Sequence, residues 1–355
     1  MSTFFNSVHI TNFKSLKDVT LNDCKRINLL IGKPNVGKSN ILEAIGLFSL
    51  PYFKYNKSKK LTQFVRLENI AELFFDGDIE NEIIIKADDN SSCALKYLEF
   101  QEPRNENLIH IKIDLKQNSL PRSLFYIPIP DIHVDSRFNI KIPVGEVRKD
   151  SYLPLKIKYY KFPIDLISKK QSTGPSFLMP PVGVNLLDVV EDNKLLKNEL
   201  SKLFSEYGLR LLFDKTNHTL RIVKTLSNNN EMISLPYSSI ADTLQRIIFF
   251  KTAIASNKNS ILLFEEPEAH CFPPYITHIA KEIINSESNQ FFIATHSPYI
   301  LDTFLENARA DLAIFMADFK DGQTVIKRLT DAELNDVYEY GLDLFFNAEL
   351  FTDEM

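Results

Sequence analysis

The sequence predicts an α/β fold: a mixed β-sheet around a strand–glycine loop–helix core, with a proline-rich insertion and a helical region. Three observations predict it. "RINLLIG" runs into "GKPNVGKS" and then into "SNILEAIGLFSL", whose Ile41, Leu42, Ile45 and Phe48 recur at helical spacing. "SILLFEE" is a second unbroken apolar run, closed by Glu265 and Glu266. "QFFIATHSP" is a third, closed by His296. Apolar runs without polar alternation are the mark of strands buried on both faces.

The elements follow in order. "FFNSVHITNF", with Val8 and Ile10, reads as a strand ahead of "RINLLIG". The helix that opens at Ser39 is ended or interrupted by Pro51. "NEIIIKADD" and "LIHIKIDL" read as further strands, completing a first lobe over residues 1–115. Nine prolines crowd residues 116–183, which disfavours regular helices and central strands. We expect edge strands such as "PLKIKYYKF" and ordered loops there. Residues 185–206 place Leu186, Val189, Val190, Leu196, Leu200 and Leu203 on one face, an amphipathic helix too short for a coiled-coil arm. Together these form an insertion over 116–206. A second lobe, 207–330, holds a hairpin at "KTNH", the buried helix "SIADTLQRIIFFKTAIA", the acid strand, the helix "YITHIAKEIINSE", the histidine strand and a hairpin turning at Asp321-Gly322. Short helices and a tail, 331–355, close the chain. The tail's apolar residues either dock a partner or pack on their own domain.

Composition bounds the function. The 355 residues are 44% hydrophobic and 25% charged, enough for two domains or one domain with a large insertion. No apolar run reaches membrane-spanning length, and the first residues lack the pattern of a secretory leader. Three scattered cysteines suggest neither a disulfide framework nor a metal site, so a cytoplasmic protein without a membrane partner is expected. A net charge of −5 argues against a globally basic DNA-coating protein. One local basic stretch, Lys54, Lys57, Lys59, Lys60 and Arg66, is either a groove or a solvated loop.

Gly32, Lys33, Pro34, Asn35, Val36, Gly37, Lys38 and Ser39 match the phosphate-loop pattern in the required strand-to-helix context. The glycines let backbone N–H groups turn inward around phosphate oxygens, and the helix start adds a favourable field. Lys38 is expected on the β- and γ-phosphates of a nucleotide and Ser39 on Mg²⁺. Adjacent residues on a strand face opposite ways, so Glu265 is assigned to the metal side, acting through water. Glu266 is assigned to the attacking water. His296 senses the γ-phosphate or positions that water. Ser238 and Ser239 stand just before a helix, as N-caps do, and with the helix start form an anion site for a second subunit's γ-phosphate.

The order of these elements resembles the ABC-type ATPases of the SMC, RecF and OLD group. "NFKSLKDVTLNDCKRINLLIGKPNVGKSNILEAI" is similar to their strand pair and Walker A motif, "LLFEEPEAHCFPPY" to Walker B with its D-loop, and "ATHSPYIL" to the switch histidine loop. The resemblance covers residues 1–50 and 235–305. It is strongest to the small ATPases of bacterial anti-phage and abortive-infection systems, such as the OLD-like, Septu and PARIS types. It implies an ABC-ATPase head that forms a head-to-head dimer, or a higher homo-oligomer, with ATP sandwiched between subunits. Ser238 and Ser239 would then reach the other subunit's nucleotide. Two departures stand out: Ile240 where the signature has glycine, and Glu265 where Walker B has aspartate. Both imply slow hydrolysis. Gln63 is a weak candidate for the lid glutamine. OLD-type nucleases carry a nuclease domain after the ATPase. Here about 55 residues follow "THSPY", without acids at several strand ends. A separate nuclease or toxin effector subunit is therefore implied. The alternative is a RecF-like repair ATPase with duplex DNA as its partner.

Overall fold

The computed structural model describes residues 4–56, 58–88, 90–98, 107–115, 131–142, 155–163, 175–214, 217, 219–226 and 231–352. Much of the proline-dense stretch, Lys57 and most of the "KTNH" turn lie outside the described residues.

The three apolar runs form β3 (Ile27–Ile31), β13 (Ile261–Glu265) and β14 (Gln290–Ala294), side by side and parallel. With β9 (Ile157–Tyr160), β15 (Leu312–Lys320) and β16 (Gln323–Arg328) they make a six-stranded sheet in the order β16-β15-β3-β14-β13-β9. Only the β15–β16 hairpin is antiparallel. Alternate residues divide between two cores. Leu29, Ile31, Leu262, Phe264 and Ile293 face one cluster, with helices α4 (Asp242–Ala255), α5 (Pro273–Asn285) and α6 (Pro298–Asn307). Leu30, Ile261, Leu263 and Phe292 face the other, with α1 (Lys38–Gly46).

A second, antiparallel sheet of seven strands lies beyond α1, in the order β2-β1-β4-β5-β6-β7-β8. Its strands are β1 (Val8–Phe13), β2 (Leu16–Leu21), β4 (Ile83–Ala87), β5 (Ser92–Tyr97), β6 (Asn107–Asp114), β7 (Ile132–Asp135) and β8 (Ile140–Lys141). Val8, Ile10, Ile83, Ile85 and Cys93 meet Ile41, Leu42 and Ile45 of α1 in one apolar cluster. A third sheet, β10 (Leu209–Asp214), β11 (Thr219–Thr225) and β12 (Met232–Pro236), packs Leu220 and Ile222 into the same cluster as α4, α5 and α6. This mixed α/β arrangement around the phosphate loop is the expected fold class.

Three local expectations differ from the structure. Residues 185–206 form two helices, α2 (Leu186–Asp192) and α3 (Lys194–Ser205). The Asn193 side chain accepts a hydrogen bond from the Leu196 N–H, so a local cap wins over helix continuation. Ser238 and Ser239 do not cap α4. They are exposed in a 3₁₀ turn, Tyr237–Ser239, and the cap position belongs to Ala241, with no side-chain cap bond. Pro236 sets that turn and Ile240 is buried behind it, which leaves the serines one turn too early. The 39–50 helix gives way to 3₁₀ geometry at Leu47, and Pro51 lies inside that segment rather than at its start.

Part of the tail packs on its own domain. Leu344, Ala348 and Phe351 are buried, whereas Phe346 and Leu350 are exposed. Its helix α8 (Ala348–Thr352) sets Glu349 on Lys33 at 2.7 Å. No helix among the described residues is long and apolar enough to cross a membrane. The three cysteines are free, with Cys24 and Cys93 buried.

Candidate nucleotide site

β3, β13 and β14 run parallel, so their C-terminal ends open on one edge, where ligands of α/β sheets lie. The phosphate loop leaves β3 there. Gly37 holds φ +98°, and a Cβ at that position would stand 2.1 Å from Thr324 Oγ1 of β16. Only glycine fits. Lys38 opens α1 and folds back on the loop, donating to the carbonyls of Gly32 at 2.7 Å and Lys33 at 2.6 Å. Burial lowers its ammonium to about 8, against the opposing pull of the Glu266 charge.

Glu265 ends β13 in the register position that shares a face with Leu263, so it looks toward α1. It hydrogen-bonds the Ser39 hydroxyl, one residue into that helix. Hydroxyl and carboxylate together are the hard oxygen donors that Mg²⁺ takes, and the pair fits such an ion. The same carboxylate receives the Tyr159 hydroxyl at 3.1 Å and the Arg66 guanidinium. Burial works to raise its pKa, but the Ser39 bond and the charges of Arg66 and Lys161 outweigh burial and hold it below the usual range.

A fully buried acid, Glu43, sits one turn after Ser39 on α1. It accepts from Lys14 at 2.6 Å and from Arg66 Nε at 3.0 Å, and Lys161 stands 3.6 Å away. Arg66 thus bridges two carboxylates, and three cations converge on two acids. None of Lys14, Glu43, Arg66, Tyr159 or Lys161 was assigned a role at this site on sequence grounds. Glu43 did carry a signal, as the lone acid in an apolar helical run. Tyr159 lies in β9 and Lys161 directly follows it, within the stretch read as an insertion, yet β9 is the edge strand beside β13. Gln63 lies in a 3₁₀ turn just before Arg66.

Glu266 leaves the strand with φ +41° and is half exposed. Its carboxylate lies 3.6 Å from Nε2 of His296, which follows β14. Burial and then the Lys38 charge hold the imidazole below its usual pKa, with Glu266 opposing. A neutral ring beside a solvent-facing carboxylate can accept or relay a proton. The structure therefore gathers Lys38, Ser39, Glu265, Glu266 and His296 at one sheet edge. Ser238 and Ser239 lie exposed before α4, whose Arg246 reaches the Glu266 carbonyl at 3.4 Å.

The AAA ATPase domain family matches residues 4–173 and 187–301. An ATP/GTP phosphatase of Helicobacter pylori is 21% identical over 331 residues, which cover 83% of this chain and 86% of the relative. An uncharacterised protein of Methanocaldococcus jannaschii is 30% identical over 87 residues, covering 22% of this chain and 40% of the relative. Among solved structures, the Smc head domain of Pyrococcus furiosus with an extended coiled coil, bound to the C-terminal domain of ScpA, superposes with a TM-score of 0.50 at 14% identity. That superposition covers 95% of this chain and 99% of the other.

Proposed function

Because this chain belongs to the AAA ATPase domain family, with the fold of an SMC head, we propose that it binds ATP with Mg²⁺ at the β3–β13–β14 edge and hydrolyses it slowly. One observation carries the reading: five chemistry-bearing side chains from three separate segments meet where the phosphate loop opens. In this reading the loop amides and Lys38 hold the β- and γ-phosphates, and Lys38 exchanges its two loop carbonyls for phosphate oxygens. Ser39 and Glu265, the latter through water, would hold Mg²⁺, which would supply positive charge against the phosphates. Glu266 orients and deprotonates the attacking water, and His296 steadies it against the γ-phosphate. GTP is a second substrate to test, since the Helicobacter relative is an ATP/GTP phosphatase.

The test uses two variants. Lys38→Ala is expected to abolish nucleotide binding. Glu266→Gln is expected to keep binding and to lose turnover by about 10²–10⁴-fold. Turnover by Glu266→Gln at the wild-type rate sinks the assignment.

The biological setting we propose is an ATPase subunit of a bacterial anti-phage complex, a homodimer or higher homo-oligomer that holds or gates a separate nuclease effector. The motif resemblance supports it, as does the assembly of a related head with a separate protein, ScpA. In that dimer Ser238 and Ser239 face the partner's nucleotide. Co-expression with the product of the adjacent reading frame should give an ATP-dependent complex with nuclease activity and protection against phage. Tight duplex binding by the chain alone at about 200 mM salt would instead point to DNA repair.

A further inference from the structure

The run "FEEPE" holds a third acid, Glu268, that the reading above leaves without work. It is 7% exposed, in the turn after β13. That turn is pinned by the Ala269 N–H on the Glu266 carbonyl at 3.0 Å and the Cys271 N–H on the Glu268 carbonyl at 2.9 Å. The side chain points across to the end of β14. Its Oε1 accepts from the Thr295 hydroxyl at 2.5 Å and from the His296 N–H at 3.0 Å. The fully buried Thr295 hydroxyl in turn accepts from the Ser297 N–H at 3.0 Å. A single carboxyl oxygen thus fixes three consecutive residues, with His296 in the middle. A second tie runs between the same strand ends, from the Glu266 N–H to the Ala294 carbonyl at 2.9 Å.

The other oxygen, Oε2, is buried without a hydrogen-bond partner. An ionised carboxylate would bear a large penalty there, whereas a neutral acid would carry its proton on that atom. Burial raises the carboxyl above its usual range, against the hydrogen bonds from Thr295 and His296. A glutamine has the same shape and would place its amide oxygen where Oε1 now accepts.

We propose that Glu268 is a positioning residue that fixes the 295–297 backbone and so holds the His296 ring 3.6 Å from Glu266. This rests on the reading of Glu266 and His296 as the hydrolytic pair. The histidine reaches Glu266 only through its backbone placement, because no other side chain among the described residues donates to or accepts from the amide of residue 296. Freeing that amide lets the ring swing away while the phosphate loop and Lys38 stay in place.

The experiment is a double-mutant cycle on the full chain, with ATP turnover and binding of a fluorescent ATP analogue measured separately. Glu268→Ala should lower kcat about 10- to 100-fold and leave nucleotide affinity within about twofold. Glu268→Gln should stay within about threefold of wild type. The Glu268→Ala effect should vanish in a His296→Ala background, since a positioning residue has nothing left to position. Glu268→Asp, which withdraws the carboxyl by a methylene, carries the same cycle where the alanine variant does not fold. Additive losses, or unchanged kcat in a folded Glu268→Ala protein, overturn the proposal. Glu266→Gln is run alongside: if it keeps full turnover, the hydrolytic reading falls whatever Glu268 does. If it loses turnover while the Glu268 and His296 losses add, the Glu268 inference alone falls.

Discussion

The guanidinium of Arg66 joins Glu43, buried in α1, to Glu265, the acid at the end of β13. The two carboxylates belong to different elements, and Arg66 spans them with a rigid fork that lysine lacks. Arg66→Ala is expected to destabilise the protein by about 1–3 kcal/mol in urea titration, and Arg66→Lys should recover less than half of that loss. Freed of its guanidinium, Glu265 should also favour a dication more, so half-saturating Mg²⁺ for nucleotide binding should fall in Arg66→Ala. A rise would contradict the placement of Ser39 and Glu265 as the metal pair.

Glu43 should matter more to stability than Arg66 does. Its carboxylate is fully buried, and Lys14 and Lys161 are mostly buried against it. Glu43→Gln removes the charge that all three cations share, leaving Lys14 without a carboxylate partner among the described residues and Lys161 with only the Glu265 charge. The expected loss is about 3–5 kcal/mol. Equal unfolding midpoints for Glu43→Gln and Arg66→Ala would refute that ranking.

Nucleotide affinity should depend on pH through Lys38. Its pKa in the free protein is lowered to about 8 by burial. Below that value the ammonium is present and meets phosphate directly. As pH rises through it, the free protein loses the proton and binding must take one up again, so affinity falls. Calorimetry in buffers of different ionisation heat should show proton uptake on binding above pH about 8 and little below pH about 7. The stability sign is the reverse: burial of the ammonium costs the fold most below the lowered pKa, and that cost is relieved as pH rises toward the ordinary lysine value.

Gly37→Ala should weaken both fold and binding, because φ +98° is strained for alanine and its Cβ would stand 2.1 Å from Thr324 Oγ1. The backbone term alone is about 1 kcal/mol or more. Adding Thr324→Ala removes the nearest atom but leaves Ser15 Oγ at 2.8 Å. The double variant should therefore recover melting temperature in part. No recovery would mean that backbone strain is the whole effect.

What the sequence disclosed and what it hid have different physical origins. The phosphate loop, Glu265, Glu266 and His296 are legible because each closes an unbroken apolar strand, and strand ends of a parallel sheet meet at one edge. Lys14, Arg66, Tyr159 and Lys161 are hidden because each arrives from a separate segment with no local pattern of its own. Glu268 was in view inside "FEEPE", but its partners, Thr295 and His296, lie on another strand. The break at Asn193 and the uncapped α4 show side-chain hydrogen bonding and turn geometry overriding hydrophobic spacing and residue type. Each is a choice between nearly equal local conformers, which periodicity does not resolve.

Glu265 and Glu266 are consecutive, yet one faces α1 and the other faces His296. Glu265 ends β13 and Glu266 follows it directly as the chain turns, so any shift of β13 moves both at once. In the proposed reading, nucleotide binding and hydrolysis then cannot be retuned independently by moving backbone. Side-chain length is the free adjustment, and the additional methylene at 265 is that adjustment: it lets the carboxylate span the gap to Ser39, Tyr159 and Arg66 while Glu266 keeps its place.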